Sequence, residues 1–239
     1  MPAVEIVMKD RIKTYIEGLD ERMNGGIPKG HVVLISGMPG TMKSSIAYNV
    51  LYRNAQERGM KGLYISLEQG RDSLLDQVIG LGMDPTEVED FLSIVDMGYL
   101  RMHMPEIAGA QDWMKIFKMY TENLRASMKY DLLVVDSLPV LEILAGVESR
   151  RIDLFEIFGW LRDLGVTTFI ISEEATDINV VHEEDFLADG IIKLRKERSG
   201  VDVQRQIMID KMRGTKHSTG LYTLMHDGEK FQITKVIGD

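Results

Sequence analysis

The chain has 239 residues, 44% of them hydrophobic, with no cysteine and a formal net charge of −9 from 37 acidic and 28 basic residues. That length can bury a substantial core in one large domain, the lack of cysteine excludes disulfides and thiolate zinc sites, and the acidic balance opposes bulk nucleic-acid binding. No apolar run approaches the roughly 18 to 20 residues that cross a bilayer, and the opening MPAVEIVMKDRIK mixes charges into its apolar residues without a signal-peptide core; no membrane insertion and a cytoplasmic location are expected.

The first strong element is the apolar run HVVLIS (31–36), followed by GMPGTMKSS (37–45) and by SSIAYNVLYRNAQER, which reads as a helix. A strand, a Gly-rich turn and a helix opening on Lys-Ser make an anion site, because backbone N–H groups and the positive end of the helix dipole converge there. The spacing matches the phosphate-loop pattern G-x-x-x-x-G-K-[ST], except that Met42 stands at the second glycine. Gly37, Pro39, Gly40, Thr41, Met42, Lys43, Ser44 and Ser45 are the candidate nucleotide contacts. Lys43 would reach the terminal phosphates and the Ser44 hydroxyl would hold Mg2+. Because Met42 opens the helix, its φ is expected to be negative, with crowding near the phosphates as the cost. Nucleotide binding is then expected to survive and turnover to slow.

GLYISLE (62–68) is the next strand, with a helix over about 71–81. Glu68, closing that strand, is the candidate catalytic base that orients and activates an attacking water, and Gln69 could help hold the water; a solvated carboxylate capping the next helix is the other reading of Glu68. LSIVDM (92–97) and DLLVVDS (131–137) bracket the helical stretch QDWMKIFKMYTENLRASM. An apolar strand ending in Asp136, behind a phosphate loop, places a carboxylate beside Mg2+. A further helix, SRRIDLFEIFGWLRDLG, leads into TTFIIS (167–172), after which Glu173 and Glu174 offer a second base site. Strands alternating with helices of this length predict a parallel sheet covered on both faces.

After residue 186 the rhythm changes to ADGIIKLRKE, VQRQIMIDKMR, LYTLMHD and KFQITKV, strand-like segments that predict antiparallel hairpins added at one sheet edge. Within KMRGTKHSTG (211–220), Lys211 and Arg213 alternate and so share one strand face. They form either a solvated edge or a finger reaching the γ-phosphate of a nucleotide on a neighbouring subunit; the spacing leaves both open. No composition break or repeat marks a second domain, so a single domain over 1–239 is expected.

These segments together resemble the KaiC-like branch of the RecA superfamily of P-loop ATPases. EGLDERMNGGIPKG is similar to the family's entry signature, GMPGTMKS to its Walker A loop, LYISLEQ to the strand carrying its catalytic glutamates and LLVVDS to its Walker B strand. DFLADGIIKLR and KMRGTKHSTGLY resemble its C-terminal strands. The resemblance implies an α/β, RecA-like P-loop core with a mostly parallel central sheet, flanking helices and C-terminal antiparallel strands. It also implies ATP and Mg2+ as ligands, and a homo-oligomeric ring, usually a hexamer, with ATP between protomers. By the same match Lys211, Met212, Arg213, Thr215 and His217 would touch the nucleotide of the adjacent subunit, with Asp227 near its base or ribose. Glu68 falls on the first of the family's paired catalytic glutamates, and Gln69 replaces the second.

The reading that follows is a slow, Mg2+-dependent ATPase whose nucleotide state regulates an unidentified protein partner. A recombinase-like DNA-binding ATPase is the first alternative. The loop in the corresponding place, EEATDINVVHEEDF, carries Glu173, Glu174, Asp177, Glu183, Glu184 and Asp185, and the other axial candidate, PVLEILAGVESRR, offers only Arg150 and Arg151; that sign opposes phosphate. The second alternative is a nearly inactive ATP-binding motor or scaffold subunit. The acidic loops and MGYLRMHMPEIAGA (97–110) are candidate partner surfaces or ordinary solvated loops.

Overall fold

The computed structural model describes residues 10–103, 113–173, 181–199 and 202–236. Glu174, Asp177 and the MPEIAGA part of 97–110 lie outside them. In chain order the main sheet is built from β3 (Val32–Gly37), β4 (Gly62–Ser66), β5 (Leu92–Asp96), β6 (Leu132–Asp136), β7 (Thr167–Glu173), β8 (Gly190–Ser199), β9 (Asp202–Met212), β10 (Leu221–His226) and β11 (Phe231–Lys235). Across the sheet the order is β11-β10-β9-β8-β3-β7-β6-β4-β5. The six strands from β8 to β5 are parallel, and β9, β10 and β11 extend the β8 edge as antiparallel hairpins. This is the expected RecA-like α/β architecture.

The period of two along each strand explains why both faces are covered. Val33, Ile35, Tyr64, Val134 and Phe169 enter a core beneath α1 (Lys43–Arg58) and α2 (Arg71–Ile79). Their neighbours Val32, Leu34, Leu63, Val135 and Ile170 enter a second core with α4 (Trp113–Met128), α5 (Leu138–Ala145) and α6 (Arg150–Asp163). Among the described residues no helix is long and apolar enough to cross a membrane.

Several elements differ from the sequence expectation. Met97–His103 is helix α3, α5 follows β6, and α7 is the short Glu183–Leu187. LPVLEILA is apolar on nearly all sides, so it carries no helical period to read. A small antiparallel pair joins β1 (Arg11–Ile12) to β2 (Ile27–Pro28). Between them Asp20 accepts hydrogen bonds from the Thr14 N–H, the Thr14 hydroxyl and the Tyr15 N–H, which fixes the segment that resembles an entry signature. The Ser218 N–H then donates to the Arg22 carbonyl, so this segment braces the chain after β9.

Candidate functional site

The loop between β3 and α1 lies at the carboxyl end of the parallel strands, where open α/β sheets bind ligands. Gly37 is required there: a Cβ would run into the Leu194 carbonyl of β8. Gly40 has φ 75°, and a Cβ on it would lie 2.5 Å from the Lys196 ammonium nitrogen. Met42 corrects the sequence expectation. Its φ and ψ are 74° and 27°, the left-handed region, so the second glycine of the pattern is replaced at a position whose backbone favours glycine. The loop has to reverse before the helix can start, and Met42 makes that reversal. Its side chain is half-buried against the core under α1.

Around this loop the predicted residues converge. Pro39, Gly40, Lys43, Ser44, Glu68, Gln69, Asp136 and Glu173 line one cavity of about 250 Å³. Lys43 is 8% exposed and its Nζ donates to the Gly37 and Met38 carbonyls at 2.8 and 3.1 Å. Asp136 is 6% exposed and accepts a 2.5 Å hydrogen bond from the Tyr64 hydroxyl. Burial pushes its carboxyl above the ordinary range, while hydrogen bonds from Tyr64 and Ser44 pull it back. Glu68 lies two residues past Ser66, the register partner of Asp136, and accepts a 3.3 Å bond from the Ser137 hydroxyl. Glu173 pairs in register with Gly37 and reaches the same cavity, so both base candidates face the loop.

Gln69 donates to Ser73 and to Gln77, and Gln77 donates to the Ser45 hydroxyl at 2.7 Å. A chain of amides therefore ties α2 to the phosphate loop. A second, larger cleft of about 500 Å³ opens between Met42, Ser45, Gln77, Gly80 and Arg205. Thr41 is buried and closes the loop internally, its hydroxyl donating to the Met38 carbonyl.

Two cations near the loop were missed by the sequence reading. Arg205 of β9 donates to the Gly40 carbonyl at 3.2 Å, and its cross-strand partner Lys196 stands over Gly40. The sequence signal was a cation-rich hairpin, KLRKERSGVDVQR, but only the strand register says which cations reach the loop.

Residues 211–217 are elsewhere. The Arg213 N–H donates to the Asp189 carbonyl and the Arg213 carbonyl meets the His31 Nε2, so this segment sits at the starting ends of β3 and β8. The phosphate loop is at the finishing end of β3, roughly 17 Å away at about 3.3 Å per residue. Lys211 donates to the Asp185 carbonyl and Arg213 to Asp189 and the Phe186 carbonyl. Burial and the Arg213 guanidinium lower the Lys211 ammonium below its ordinary range. Met212 is 3% exposed and belongs to the core beneath α1, where it lies against Gly190, so it is not presented at the surface with its neighbours. Thr215 accepts a bond from Arg11, and the His217 Nδ1 lies 3.2 Å from the Thr215 carbonyl. Asp227 accepts the N–H groups of Glu229 and Lys230, which hold its carboxyl below the ordinary range.

The KaiC ATPase family model matches residues 12–235. The chain belongs to the KaiC family of ATPases. A UPF0273 protein of Thermotoga maritima is 30% identical over 226 residues, covering 88% of this KaiC-family chain and 90% of that protein. The circadian clock oscillator protein KaiC 1 of Synechocystis is 29% identical over 226 residues, covering 91% of this chain but 43% of the relative. The chain thus spans less than half the length of the clock proteins it matches. Among solved structures, a KaiC-like protein from Pyrococcus horikoshii superposes with a TM-score of 0.80 at 28% identity, covering 95% of this chain and all of that one.

Proposed function

We propose that this KaiC-family chain, acting as one unit over 1–239, is an Mg2+-dependent ATP-binding switch that hydrolyses ATP slowly. It works as a homo-oligomeric ring, hexameric by family resemblance, with ATP at the junctions between protomers. Its nucleotide state regulates a protein partner in the cytoplasm. The observation that carries this reading is the pair of opposite sheet ends: the phosphate loop lies at one and the cations of 211–217 at the other, too far apart to serve one nucleotide within a chain. A neighbouring protomer supplies the missing half.

Mg2+ favours oxygen donors and keeps several waters, and the touching pair of Ser44 hydroxyl and Asp136 carboxylate suits that preference. When bound, the ion neutralises charge on the β- and γ-phosphates. Lys43 exchanges its Gly37 and Met38 carbonyl partners for terminal phosphate oxygens, and Arg205 and Lys196 add positive charge from the hairpin side. Glu68 accepts the proton of the attacking water, whereas Gln69 can orient it but not ionise. The 500 Å³ cleft beside Met42 takes the ribose and base.

One observation favours the second reading, an ATP-binding subunit with almost no turnover: Gln69 is already committed to Ser73 and Gln77. DNA binding finds no such support. Arg150, a cation of the axial segment, is held by Glu142, Glu184 and Glu183 at 2.9, 2.8 and 3.7 Å.

Steady-state ATP turnover with Mg2+, followed against protein concentration, tests the reading. Specific activity that rises and then plateaus is the expected result. Tight ATP binding without turnover supports the scaffold instead, and failure to bind ATP contradicts both.

A further inference from the structure

Gln69, Ser73 and Gln77 fall four residues apart, so they stack along one side of α2 and of the turn that opens it. The backbone of that turn is held at two points. The Ser66 hydroxyl donates to the Gln69 carbonyl, and Asp96 accepts the Arg71 N–H at 3.1 Å. Gln69 then spends its side-chain nitrogen on α2, donating to the Ser73 hydroxyl at 2.9 Å and to the Gln77 Oε1 at 3.3 Å. A side-chain amide has two N–H donors and one carbonyl oxygen. Only the oxygen of Gln69 is left for the cavity that it lines with Glu68 and Asp136.

The Gln77 Nε2 donates in turn to the Ser45 hydroxyl at 2.7 Å. Ser45 is 2% exposed, in the first turn of α1, and lines the 500 Å³ cleft. Because its oxygen accepts from Gln77, its own proton is left to donate to an oxygen of a ligand in the cleft. The bonds therefore run in one direction, from Gln69 through Gln77 to Ser45. They also join two cavities, since Gln69 lines the smaller and Ser45 the larger.

We propose that Gln77 is a positioning residue that couples the nucleotide contact at Ser45 to the orientation of Gln69. It turns the Ser45 proton toward the phosphate chain and holds the Gln69 oxygen where it accepts a hydrogen of the attacking water. A Ser45 hydroxyl that donates to phosphate becomes a better acceptor, so nucleotide binding strengthens the Gln77 bond behind it. Occupancy of the cleft is thereby felt at Gln69. This coupling rests on the nucleotide reading above and acts through the neighbours of Gln77.

The test titrates ADP with Mg2+ into the full chain, because ADP lacks the terminal phosphate that would itself meet Gln69. Calorimetry gives the dissociation constant, and the Gln69 side-chain amide resonance reports the coupling. Gln77 is exposed and leucine suits a helix as well as glutamine does, so Gln77→Leu should fold. In the parent, ADP should bind and shift the Gln69 amide. Ser45→Ala should weaken ADP about tenfold and Gln77→Leu about threefold, each the size of one hydrogen bond. Added to Ser45→Ala, Gln77→Leu should weaken ADP no further, because both act through one contact. Gln77→Leu should also abolish the Gln69 shift while ADP still binds. Gln77→Glu keeps an acceptor for Gln69 but cannot donate, so Ser45 turns its proton to the new carboxylate. That variant should keep the Gln69 resonance of the nucleotide-free parent, yet bind ADP at least as weakly as Ser45→Ala. Four results would each overturn the proposal and leave the nucleotide reading standing. They are losses that add in the double variant, unchanged ADP affinity in Gln77→Glu, no Gln69 shift in the parent, and a shift that survives Gln77→Leu. A parent that binds neither ADP nor ATP refutes the nucleotide reading and this coupling with it.

Discussion

At φ 74°, Met42 holds backbone that costs an L side chain about 1–2 kcal/mol. Packing of its side chain on the core beneath α1 offsets part of that cost, which accounts for a phosphate loop that forms without its second glycine. The side chain also walls the cleft that would take the ribose and base, so it narrows the site from above. Met42→Gly should therefore keep ATP affinity within about threefold and raise turnover, read as steady-state phosphate release. A variant no faster than the parent removes Met42 as a cause of the proposed slow turnover. At this scale the convergence of Lys43, Ser44, Glu68 and Asp136 on one cavity was legible, because it follows from order and spacing along the chain. The handedness of the loop at Met42 was not, since the residue before a helix takes either sign of φ. Lys196 and Arg205 were not legible either, because a cation's reach across a hairpin is set by register.

The start of β8 is organised by one carboxylate. Asp189 accepts bonds from the Val32 N–H, Arg162 and Arg213. Burial raises its carboxyl, but these three donors outweigh burial and hold it below the ordinary range. A carboxyl depressed on folding gives stability that is present above its unfolded pKa, about 3.9, and is lost as pH falls through the folded value. Asp189→Asn should cost about 1–3 kcal/mol at neutral pH and flatten the loss of stability below about pH 4, measured by urea unfolding at each pH. An unchanged acid limb would contradict the assignment. The same contact aims Arg213, so the boundary at the start of β8 is also the mount of the cationic segment. Alternating strands and helices were visible from periodicity, and the edge hairpins from their alternating residues and turns. Helix α5 and the β1–β2 pair were hidden, the first by uniform apolarity and the second by being too short to show a period.

Over the whole molecule, strand direction decides what one chain can do alone. Parallel β3 and β8 put the loop between β3 and α1 at one end of the sheet and Lys211, Arg213 and Thr215 at the other. Length and motif spacing said nothing about this separation, which left the solvated edge and the intersubunit finger equally open. In the proposed assembly a heterologous, head-to-tail interface would bring opposite ends of two copies together, and such an interface forms a ring where its rotation closes. The direct test mixes two variants, Lys43→Ala, which damages the phosphate loop, and Arg213→Ala, which damages the finger. Each alone should lose most turnover. After equal amounts are dissociated and reassembled together, about a quarter of the junctions should pair an intact loop with an intact finger and regain activity. A mixture no more active than the sum of its two parts would mean that each chain completes its own site, and would contradict catalysis shared between protomers.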